Sequence, residues 1–98
     1  MTGEDKKALE REVSATPAEF AHGLRNAFPV GLTGGPLEFR VDDGAAAMEI
    51  RLIPGPDRVI ALLRLPTLKA SICFTAGDPA ARERMLRRMD LAMQRGGG

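Results

Sequence analysis

MEIRLIPGPDRVIALLRLPTLKASICF, residues 48–74, decides the architecture. Its first six residues alternate. Met48, Ile50 and Leu52 fall on one side, Glu49, Arg51 and Ile53 on the other, the period-2 pattern of a half-buried strand. PGPD at 54–57 carries two prolines and a glycine and predicts a turn. RVIALLRL at 58–65 alternates again, with Val59, Ala61, Leu63 and Leu65 opposite Ile60, Leu62 and Arg64. It is apolar on both sides in the middle, which predicts a central strand ended by Pro66. KASICF at 69–74 sets Ala70, Ile72 and Phe74 against Ser71 and Cys73. Upstream, LEFRV at 37–41 places Leu37, Phe39 and Val41 opposite Glu38 and Arg40, and DDG at 42–44 is a turn. Short links make such strands antiparallel neighbours.

Helices flank this stretch. Thr16 is a cap, Pro17 fits the first helical position and Glu19 closes a capping box. Phe20, Leu24, Ala27 and Phe28 then share a face, and Pro29 stops the helix. VGLTGGP at 30–36 reads as loop. In GDPAARERMLRRMDLAMQR at 77–95, Asp78 caps and Pro79 opens a second helix. The predicted fold is α+β, in the order α-β-β-β-β-α: a four-stranded antiparallel meander with two helices packed on one face. Phe20, Leu24, Phe28, Met85, Met89, Ala92 and Met93 are expected to cover Phe39, Ile50, Leu63 and Ile72. One domain runs from 16 to 95. Residues 1–15 form a polar segment, frayed or briefly helical because Leu9 and Val13 stand four apart, and 96–98 form a flexible glycine tail.

Composition narrows the function classes. A net charge of +1 supplies no global field to draw the chain onto nucleic acid or an anionic membrane. Four Phe with no Tyr or Trp leave few stacking platforms for bases. One cysteine excludes an internal disulfide and a multi-cysteine metal site. The N-terminus is charged, without the apolar core of a signal peptide, and VIALL is far too short to span a bilayer. Abundant Arg, Ala, Gly and Pro follow a GC-rich coding bias. The expectation is a cytoplasmic, bacterial protein with no membrane partner.

The sheet face left uncovered by the helices is the predicted site. It carries Arg40, Arg51, Arg64, Glu38, Glu49, Ser71 and Cys73 around an apolar middle of Ile60 and Leu62. A greasy centre with a polar rim is how interaction surfaces are built. The predicted function is a non-enzymatic protein-interaction module or homodimer using this face. Arg40, Arg51 and Arg64 pair with Glu38 and Glu49 in the simplest reading. In the alternative they converge on an anion, or the helical stripe Arg84, Arg88 and Arg95 contacts nucleic acid. That stripe borders the apolar arc, where arginine stems lie along core surface, and Arg87 has Glu83 and Asp90 as helical neighbours.

No constellation points to catalysis. His22 flanks the first helix, and Cys73 points to the uncovered side, away from it. Asp42 and Asp43 read as turn residues. GLTGGP at 31–36 lacks the lysine of a phosphate loop and precedes a strand. No catalytic, metal-binding or cofactor-binding residue is assigned. The terminal glycines resemble the free diglycine end of small sulfur-carrier and ubiquitin-like proteins. A carrier or accessory role is the third alternative, although the tail here leaves a helix instead of a strand.

Overall fold

The computed structural model describes residues 8–96, with side chains placed as far as Met93. Seven elements follow one another: β1 (Leu9–Val13), α1 (Pro17–Ala27), β2 (Leu32–Gly34), β3 (Glu38–Asp42), β4 (Ala47–Ile60), β5 (Leu63–Ala76) and α2 (Pro79–Gly96). The strands form one antiparallel sheet in the order β1-β5-β4-β3-β2. The fold is α+β with two helices, as the sequence predicts, but the sheet has five strands instead of four.

The difference lies mostly in residues 48–74. PGPD is no turn. β4 runs straight through it, and the chain reverses at Ala61 and Leu62, inside the segment read as a central strand. β4 and β5 are a single hairpin of 14 residues on each side. Ile60 pairs with Leu63, so the turn has two residues, and Ala61 takes φ 55° at its first position. That conformation costs an L-residue roughly 1–2 kcal/mol, which is why glycine or asparagine normally marks such a turn.

The prolines fit because of where their missing N–H groups would point. The N–H of Leu52 donates outward to Leu37 O at 2.8 Å. Two residues on, Pro54 faces the same edge, beyond the end of β3. On β5 the even-numbered residues face β1, and Pro66 lies past the end of β1. Proline is tolerated at free edges and bulges for this reason. Pro56 lies in an irregularity between Gly55 and Arg58, where β4 carries an extra residue. Thr67 Oγ1 donates to Pro56 O at 2.7 Å and fixes that bulge.

Two further strands come from segments read otherwise. Leu9–Val13 forms an edge strand on β5, with Leu9 opposite Ile72 and Val13 opposite Leu68. It is neither helical nor frayed. Leu32–Gly34, inside the predicted loop, pairs with Phe39–Val41. Gly31 enters this strand at φ 93°, and a Cβ there would lie 2.1 Å from Asp42 O. Residues 1–7 and the tail glycines 97–98 lie outside the described residues.

Both helices cap as the sequence predicts. Thr16 Oγ1 accepts from Glu19 N at 3.1 Å while Glu19 Oε1 accepts from Thr16 N at 2.9 Å. Asp78 Oδ1 accepts from Ala81 N at 2.8 Å. Phe20, Leu24 and Phe28 from α1 and Met85 and Met89 from α2 bury against Phe39, Val41, Met48, Ile50, Leu68 and Ile72. Fully burying such a side chain contributes about 1.5–3 kcal/mol before entropy is charged. Among the expected core residues Ala92 and Met93 are only half-buried, and Leu63 is exposed. It lies on the hairpin beyond the helices and is 62% exposed.

Asp43 holds the turn between β3 and β4. Its Oδ1 accepts from Ala45 N and Ala46 N, each at 2.9 Å. The Ala46 hydrogen bond, foremost, lowers its pKa below the ordinary 3.8, and the nearby Arg88 charge acts in the same direction.

Two outcomes are expected. Gly31→Ala costs at least about 2 kcal/mol in urea unfolding, because positive φ and a backbone collision add; a cost below about 0.5 kcal/mol contradicts the close approach. Asp43 has a depressed pKa when folded, so its ionisation stabilises the protein above the unfolded pKa, and that contribution is lost as pH falls through the folded value. The stability advantage of the natural chain over Asp43→Asn is therefore full near neutrality and shrinks below pH 3.8. An advantage independent of pH contradicts the assignment.

Candidate functional site

The uncovered face of the sheet has the expected parity and a different chemistry. Cross-strand register sets Thr33, Arg40, Glu49 and Cys73 in one row. Glu38, Arg51, Ser71 and Glu10 form the next, and Ile53, Lys69 and Glu12 the third. Neighbouring charges alternate in sign. Arg40 Nη1 lies 3.5 Å from Glu49 Oε2, Arg51 Nε 3.3 Å from Glu38 Oε2, and Lys69 Nζ 4.0 Å from Glu10 Oε1. Exposed pairs of this kind are each worth about 0–1 kcal/mol. A shallow depression of about 410 Å³ lies across the first two rows, lined by Thr33, Arg40, Arg51, Ser71 and Cys73 among others.

Arg40 and Arg51 thus take the ion-pair alternative. Arg64 does not join them: it lies out on the hairpin, 3.8 Å from Asp57. The apolar centre predicted at Ile60 and Leu62 is not in the middle of this face either. Both residues are at the hairpin end. Leu63 is ten positions from Cys73 on β5, roughly 33 Å at the rise of a strand.

That end is the notable surface of the molecule. Burial stops at Leu52 on β4 and Leu68 on β5. Beyond them residues 53–67 form a two-stranded arm that no helix covers. Leu62 is fully exposed, and Leu63, Val59 and Ile60 are exposed by 62%, 61% and 49%. Directly opposed residues share a side of a ribbon. Ile60 and Leu63 therefore lie on one side with Arg58 and Leu65, and Val59 and Arg64 on the other. Counting along β5 from Lys69 and Ser71, the side bearing Ile60, Leu63 and Leu65 continues the uncovered sheet face. Leu62, in the turn, projects from the end. Single exposed apolar residues are ordinary, but four within five positions make a patch.

Two of the five arginines of α2, Arg82 and Arg88, are engaged within the fold. Arg88 Nη2 donates to Ala27 O at the end of α1, and its guanidinium sits 4.8 Å from the Phe28 ring centroid. Arg82 Nε donates to Gly77 O at 2.7 Å, with its guanidinium 5.6 Å from the Phe74 ring. Asp90, expected beside Arg87, instead receives both ends of Arg11 from β1, at 3.3 and 3.4 Å. Of the stripe, Arg84 is exposed and the Arg95 side chain lies outside the described residues. His22 is exposed on α1, on the opposite side of the sheet from Cys73. Among the described residues no three His, Cys, Asp or Glu gather as a metal site, and no helix is long and apolar enough to cross a membrane.

Ile60 and Leu62 are conspicuous in the sequence, but the arm that carries them is not. The signal that identifies it is the doubly apolar run itself. A strand apolar on both sides is either central or uncovered, and without a glycine at the turn the second option is hard to see.

Truncation separates structural from free side chains. Arg88→Ala is expected to cost about 1–2 kcal/mol through lost cation–π contact and carbonyl capping, whereas Arg84→Ala stays within about 0.5 kcal/mol. Equal costs in urea unfolding contradict this division. Leu62→Ser leaves stability unchanged within about 0.5 kcal/mol, against about 2–5 kcal/mol for Leu68→Ala. No known protein family matches the chain, and no curated protein matches it in sequence.

Proposed function

We propose that this chain is a non-enzymatic protein-interaction module whose contact surface is the apolar end of the β4–β5 arm. The observation that carries this reading is the run of exposed Val59, Ile60, Leu62 and Leu63 beyond the helix-covered part of the sheet. Holding these side chains in water forgoes burial worth roughly 1.5–3 kcal/mol for each large one. Docking against another apolar surface recovers part of that. The rest of the open face favours the same reading, because Arg40 and Arg51 are already engaged by Glu49 and Glu38. The proposed surface keeps Ile60 and Leu62, which lie at the distal end of the uncovered face and not in its middle, and leaves out Arg40, Arg51 and Cys73. The reading keeps the protein in the cytoplasm.

The partner is engaged through side chains and not by strand addition. Pro54 and Pro66 remove outward N–H groups from the two free edges at the base of the arm, which blunts both as templates for a further strand.

A photo-crosslinking residue placed at position 62, with position 25 on the exposed side of α1 as control, tests the reading in the intact cell. Discrete protein adducts at 62 that are absent at 25 are expected, and Leu63→Asp is expected to abolish them. The same adduct pattern at both positions, or none at 62, overturns it.

A further inference from the structure

We propose that the arm docks onto a second copy of this chain, the tip of each seated against the base of the other about a two-fold axis. This rests on the reading of the arm as a contact surface and adds the identity and register of the partner.

A two-fold interface needs knob and hole in one patch, because each copy presents the same surface. The arm meets that condition. Its tip supplies Ile60 and Leu63 as the knob. At its base lies a hollow of about 790 Å³, lined among others by Ile53, Gly55, Leu65 and Thr67. By strand alternation all of these face the same side as the knob. Gly55 keeps the floor low: a Cβ there would lie 2.7 Å from Thr67 Oγ1. On β5 the knob residue Leu63 stands two and four positions from Leu65 and Thr67 of the hollow, roughly 7–13 Å, so two arms laid antiparallel bring each tip over the hollow of the other.

Charge supports the same register. Arg58 and Glu12 line the hollow at its opposite ends, Arg58 toward the tip on β4 and Glu12 away from it on β1, on the same side of the sheet. Among the described residues neither belongs to an ion pair within 4.0 Å, whereas Arg64, Lys69 and Glu10 all do. The antiparallel arrangement carries Arg58 of each copy toward Glu12 of the other, and the two-fold makes the pair twice. The prolines at the free edges disfavour the competing arrangement, an open ladder of arms adding edge to edge.

Sedimentation velocity across a wide concentration range tests the proposal, with circular dichroism checking each variant's fold. The natural chain is expected to dimerise. Arg58→Glu and Glu12→Arg alone each weaken the dimer by about tenfold or more, and together they restore it. Leu63→Asp abolishes it. A chain monomeric at every concentration overturns the proposal, as does a dimer indifferent to the charge exchange. A monomer that still yields adducts to a different protein at position 62 overturns the second copy and leaves the interaction reading standing. A monomer that floats with anionic phospholipid vesicles, and loses this in Leu62→Asp, assigns the arm to a lipid surface and overturns both.

Discussion

Ala61 turns the chain, and from that turn the β4–β5 ladder sets the position of every other element. Met48, Ile50 and Leu52 face the helices because Phe74, Ile72 and Ala70 stand opposite them. A shift of one residue in that register would turn every side chain of one strand to the opposite face. β3 extends the ladder on one edge and β1 on the other, each inheriting the parity of its neighbour. The helices then have one apolar surface to cover. The two ends of the hairpin differ only in whether neighbours accompany them. Where β1 and β3 flank it, a core forms beneath. Where they stop, the same ribbon continues into solvent.

Some of this was legible in the residues and some was not. The helix caps at Thr16 and Asp78, the apolar arcs of both helices and the parity of residues 37–53 and 69–74 follow from local chemistry, which the fold leaves intact. The errors share a cause. Leu9 and Val13 stand four apart, a spacing that puts two side chains on one face of a helix and equally on one face of a strand. PGPD has the composition of a turn, but a proline at a free edge loses no ladder bond. Whether an edge is free depends on where β1 and β3 end, which no local window contains. The true turn has Ala and Leu where glycine is usual.

The same confusion governed the candidate site. Ile60 and Leu62 stand out because they are apolar on the side that an uncovered sheet face leaves to solvent. Placing them in the middle of a face required that RVIALLRL be one strand. Once it folds on itself, the apolar surface and the charged surface separate. The charged rows of Arg40–Glu49 and Arg51–Glu38 belong to the body, and the greasy residues to its extension. Arginine at high frequency suggested anion binding, yet Arg88 and Arg82 serve chiefly to join helix ends to loops and rings.

The extra residue between Gly55 and Arg58 divides the hairpin into two mechanically distinct lengths. Thr67 ties that junction from the opposite strand. Everything beyond it could be shortened or extended by evolution two residues at a time, one on each strand per step, without disturbing a single buried side chain. Because side chains alternate, one such step turns the distal surface over and a second restores its facing. The reach of the protein is thus adjustable, with its facing kept, in steps of two residues' rise, independently of the stability of its body.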